Sequence, residues 1–107
     1  MNGPNLSKVN EIADNDIEFR DKLLAIMQKE FHVEKKKFLH AFHQNNNHES
    51  AAIVHKLKHK INLLNLEDGY RLATSFENQL LENNTVLFHD FEIILKEIEK
   101  FLKSKDL

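Results

Sequence analysis

His55, Lys58 and His59 are the side chains whose types and spacing could do chemistry in this chain. An imidazole titrates near neutral pH, with an unperturbed pKa of about 6.5, so its nucleophilic and proton-carrying forms interconvert readily there. A histidine open to another protein can therefore serve as a nucleophile or a proton carrier. A lysine three residues further along a helix would offset negative charge gathering beside it without acting as an acid or base. Two histidines four apart on one helix face could instead hold a metal ion. That reading is a distant third for His55 and His59, because the chain has no cysteine and no flanking carboxylate completes a ligand set.

Helices must position these groups. Only two glycines and one proline occur, and Gly3 and Pro4 are both in the first four residues, so the rest of the chain has few places for hairpins. Apolar periodicity predicts a short helix over about 6–14 and longer ones over about 16–44, 48–65, 67–82 and 86–103. The inward stripes are Leu6, Val9, Ile12 and Ala13, then Leu23, Leu24, Met27, Phe31, Phe38 and Phe42, broken near Glu34. Ile53, Val54, Leu57, Ile61 and Leu64 follow, then Leu72, Ala73, Phe76 and Leu80, and finally Leu87, Phe91, Ile94, Ile98 and Phe101. Asp16, Asn47 and Thr85 are the expected N-caps, and Glu67 and Asp68 complement the dipole of the fourth helix. Asn65 is expected to end the third helix in the left-handed conformation. Short polar connections make antiparallel neighbours, hence an all-α, up-down-up-down four-helix bundle with a short additional N-terminal helix, one domain over 1–107.

With Leu57 at the centre of the buried side and about 100° per residue, His55 falls roughly 160° away, almost opposite the core. His48, His59 and Asn62 lie close to the same outer face, and Ala51 and Ala52 leave the approach to His55 sterically open. Lys58 can reach toward this surface. Lys35, Lys36 and Lys37 read as a solvated face, and His32, His40, His43 and His89 are assigned no role.

The string His55-Lys56-Leu57-Lys58, with Leu64 nine residues after the histidine, resembles the phosphoacceptor helix of histidine-containing phosphotransfer (HPt) domains. The likeness runs along nearly the whole chain. Phe19 to Leu24, Phe31, Phe38 and Leu39 sit where that family's preceding helix is apolar, and Leu72, Phe76 and Glu77 match its following helix. Three positions depart from the pattern: His59 and Asn65 stand where the family has glycine, and Gly69 stands where it has an apolar residue. The resemblance implies a phosphorelay carrier that takes phosphate on His55 from a receiver-domain aspartate and passes it to another receiver. Lys58 would stabilise the phosphoryl charge, and Ala51, Ala52, Lys56, His59 and Asn62 would dock the partner. Expected partners are a response-regulator receiver domain and a hybrid sensor kinase, with magnesium supplied by the receiver and no cofactor bound by the carrier.

Several classes are disfavoured. A net charge of −2 with histidines neutral argues against general nucleic-acid binding. No apolar run is long enough to span a bilayer, and the first ten residues carry no apolar leader segment, so a cytoplasmic monomer is expected. Absent cysteine fits a reducing compartment. No phosphate-cradling glycine loop is present, so the carrier is expected not to be an enzyme with its own ATP site. Lys56 and the lack of a downstream proline separate it from sensor-kinase dimerisation domains. The competing reading is a docking bundle that binds a receiver or kinase without phosphotransfer, with His59 blocking the approach.

Overall fold

A computed structural model describes residues 3–105. Five helices account for most of them: α1 (Ser7–Ala13), α2 (Ile17–His43), α3 (Asn47–Leu63), α4 (Glu67–Leu81) and α5 (Phe88–Ser104), with no strand among the described residues. The molecule measures 43 × 25 × 19 Å, and its long dimension is close to the roughly 40 Å expected of the 27-residue α2. α3 packs between α2 and α4, α5 closes against α4 and α2, and α1 folds back on α2. No described helix is long and apolar enough to cross a membrane.

The predicted spans agree with the helices to within about two residues, but two of three caps moved. Asp16 caps α2 as expected, its side chain accepting from the Phe19 N–H at 3.0 Å. Asn46, not Asn47, caps α3, accepting from the Glu49 N–H at 3.0 Å. The reason is local: Asn45 takes the left-handed turn (φ 59), so the next residue occupies the capping position. Thr85 caps nothing with its side chain. The Asn84 side chain takes the Val86 N–H, and α5 starts at Phe88, beside the partly buried Leu87, whose backbone holds the cap position. Asn65 does adopt the left-handed conformation (φ 62).

The core follows the predicted stripes with two departures, on α5 and at Ile12. Ile53, Val54, Leu57, Ile61 and Leu64 are all buried, as are Ala73, Phe76 and Leu80 of α4. On α5 the deepest stripe is Phe91, Leu95, Ile98 and Leu102, while Leu87, Ile94 and Phe101 flank it half-buried and Ile12 of α1 is exposed. Phe38 is the hub of an aromatic cluster, with Phe42, Phe76, Phe88 and Phe91 between 5.4 and 6.1 Å from it, centroid to centroid.

Charges pin α3 and α5 to α2. The break in the α2 stripe at Glu34 is filled by the buried Lys60, whose Nζ lies 3.1 Å from carboxylate oxygens of both Glu30 and Glu34. Lys60 Nζ donates to Glu34 Oε2 at 3.3 Å, while Glu34 Oε1 makes its close approach without hydrogen-bond alignment and contributes through charge. Lys35, expected on a solvated face, instead turns inward and donates to Glu99 at 2.8 Å. That bond holds the Glu99 carboxyl below the usual carboxylate range, against the opposing effect of its burial. A lowered folded-state pKa stabilises the fold above the unfolded value and is lost as pH falls through it. The acid limb of a thermal-melt series should therefore flatten in a Glu99→Gln variant, by about 0.5 kcal/mol for a pair that is only partly buried.

Candidate functional site

α3 presents His55 outward, with 56% of its side chain exposed, because the buried Val54 and Leu57 fix the rotation of the helix. Its Nδ1 lies 3.0 Å from Glu77 Oε2 on α4. Glu77 Oε1 lies 3.0 Å from Lys58 Nζ, so one carboxylate joins the histidine and the lysine. A carboxylate accepts hydrogen bonds and donates none, so in a neutral ring this contact assigns the proton to Nδ1 and the lone pair to Nε2. Lys58 Nζ also lies 5.4 Å from the centroid of the Tyr70 ring, a cation–π distance.

The predicted residues separate into those gathered at His55 and those placed elsewhere. His59 is exposed and stands edge-on to His55, with ring centroids 5.5 Å apart. Ala52 is exposed on the same helix, but Ala51 is only 2% exposed and packs in the core. The docking assignment of Ala51 is therefore corrected: it lies on the side of α3 that carries the buried Val54 and Lys58, closed to a partner. Asn62 is at the surface but engaged, accepting from Lys8 Nζ through its side chain at 2.9 Å and its backbone carbonyl at 3.2 Å. Lys56 is set to one side and lines a cleft with Val33 and Lys37 of α2. Lys58 does not extend outward; it is nearly buried, its side chain 11% exposed and folded against α4.

Two residues of the site carried no assigned role in the sequence reading. Glu77 figured only within the family likeness, and Tyr70 was not considered. A signal for both was present in their spacing of seven, which lines them up on one face of a helix. That the face points at His55 depends on how α4 packs beside α3. Among the described residues, no group of three or more His, Cys, Asp or Glu side chains is placed to hold a metal ion.

Compared with protein-family models, with curated proteins and with solved structures, the chain matches none.

Proposed function

We propose that the chain is an HPt-like carrier of a cytoplasmic phosphorelay, an up-down-up-down four-helix bundle that accepts a phosphoryl group on His55 Nε2. The observation that carries this reading is the Glu77 carboxylate, bonded to Nδ1 at 3.0 Å on one side and to Lys58 at 3.0 Å on the other. In the forward step the Nε2 lone pair attacks the phosphorus of a receiver's aspartyl phosphate. The bond from phosphorus to the aspartyl oxygen breaks, and its electron pair leaves with the carboxylate. The proton stays on Nδ1, and the positive charge developing on the ring faces Glu77, as a carboxylate supports an imidazolium in hydrolase triads. Lys58, already within the site, neutralises part of the incoming charge. The reverse step delivers the group to a second receiver, and the receiver supplies the magnesium ion.

The test is incubation of the full chain with a phosphorylated receiver. Uptake of an acid-labile, alkali-stable phosphate is expected, mapping to the tryptic peptide that holds His55. Uptake of an acid-stable phosphate, or none from a panel of receivers that bind the chain, would sink the proposal.

A second reading rests on His59, whose ring stands beside His55 where the resembling family has glycine. In that reading the bundle docks a receiver and His59 obstructs in-line transfer. The two readings diverge in a His59→Gly variant. A carrier gains little, with rates changing by roughly threefold or less, whereas an obstructed bundle goes from binding without labelling to stoichiometric labelling. Glycine inside α3 costs about 1 kcal/mol, small enough that the variant should remain folded.

A further inference from the structure

On the side of α4 facing α5 lies an open cleft of about 670 Å³. Its apolar wall is built from Leu72, Ile94 and Ile93, and Ile93 is 52% exposed. Gly69 contributes no side chain there; a Cβ at that position would already meet Ile61, Leu66 and Ile94 at 3.4–3.5 Å. The rim is acidic on both helices, with Glu67 and Asp68 from α4 and Asp90 and Glu97 from α5. Among the described residues no lysine or arginine lines the cleft, and Arg71 alone touches this set, through an ion pair with Asp68. Along α5, Asp90, Ile93 and Glu97 are spaced three and four, so carboxylates bracket an exposed apolar residue over about two turns.

An apolar floor between carboxylate rims is the complement of a helix with apolar residues at i and i+4 flanked by lysine or arginine. From this charge pattern we infer that the α4–α5 cleft is a docking site for a basic amphipathic helix of a partner protein. The inference is independent of whether His55 takes phosphate. Leu72 and Asp68 fall roughly 140–180° around α4 from Tyr70 and Glu77, by the rule of 100° per residue. A partner in the cleft therefore leaves His55 uncovered, and two proteins can be held at once.

The experiment is a titration of the full ¹⁵N-labelled chain with a synthetic helix of about four turns, built of leucine at i, i+3 and i+4 spacing with lysine elsewhere. Peptides of the same composition in scrambled order, and with glutamate for lysine, serve as controls. Saturable shifts confined to residues 66–72 and 90–97 are expected, weakening as salt is raised. Ile93→Ser and Glu97→Lys, both at solvent-exposed positions, should each weaken binding at least about tenfold while circular dichroism stays unchanged. The inference is overturned by shifts centred elsewhere, by equal response to the control peptides, by unchanged affinity in both variants, or by no saturable binding. Shifts of the same residues with protein concentration alone would assign the cleft to a second copy of the chain and overturn the partner assignment.

Discussion

A His55→Gln variant mixed with a phosphorylated receiver should take up no label above background, while a Glu77→Gln variant should label roughly 10- to 100-fold more slowly than the parent. Glutamine at 55 keeps the length and a donor for Glu77 but has no nucleophilic ring nitrogen, so loss of label isolates the chemistry from the docking. The Glu77 estimate follows from charge. An imidazolium and a carboxylate about 4 Å apart attract by about 1 kcal/mol in water and about 4 kcal/mol at an effective dielectric of 20. The pair lies between these limits, since Glu77 is 18% exposed and His55 56%. Glutamine at 77 replaces one of the two carboxylate oxygens by an NH2 group, which meets either His55 Nδ1 or Lys58 Nζ donor to donor, so the variant loses charge and one hydrogen bond together. The readouts are single-turnover transfer rates, with receiver binding measured separately. Stoichiometric labelling of His55→Gln, or parental rates in Glu77→Gln, would remove the site from the mechanism.

Truncating Phe38 to alanine should cost about 3–5 kcal/mol, as deletion of a fully buried phenylalanine does. Phe38 is 0% exposed, and its neighbours come from α2, α4 and α5, so no single helix can shift to refill the space. That loss is a large share of a total stability of about 5–15 kcal/mol. The thermal midpoint should fall by roughly 12–40 °C at about 4–8 °C per kcal/mol. A thermal melt followed by circular dichroism gives the value, and a loss under about 1 kcal/mol would mean that the aromatic hub does not hold these helices together.

Helices and core were legible in the chain because burial repeats with the helical period. Ile53, Leu57, Ile61 and Leu64 needed only their spacing. The α5 stripe was harder: Phe91, Leu95, Ile98 and Leu102 and the flanking Leu87, Ile94 and Phe101 are all apolar, and only the packing of α4 and α2 chooses between them. Asn46 and Asn47 are chemically alike, so the cap was decided by which neighbour took the left-handed turn. At the site, α3 could be read in part and its meeting with α4 could not. The wheel placed His55 outward, yet Ala51, read as part of the open approach to it, is buried on the same side of α3 as Val54 and Lys58. Lys58 has a long flexible stem, and its direction is set by Glu77, a partner 19 positions away across a helix boundary.

Tyr70 is the only tyrosine, and the chain has no tryptophan. Its ring lies 5.4 Å from the same Lys58 ammonium that shares Glu77 with His55. The protein's near-ultraviolet signal beyond the phenylalanine bands therefore originates from a single ring beside the candidate site. Under the proposed transfer, a dianionic group arriving at Nε2 would compete with Glu77 for Lys58, and movement of that ammonium would change the electric field across the phenol. The tyrosine absorption would then report the charge state of the site, with no label attached and no residue replaced.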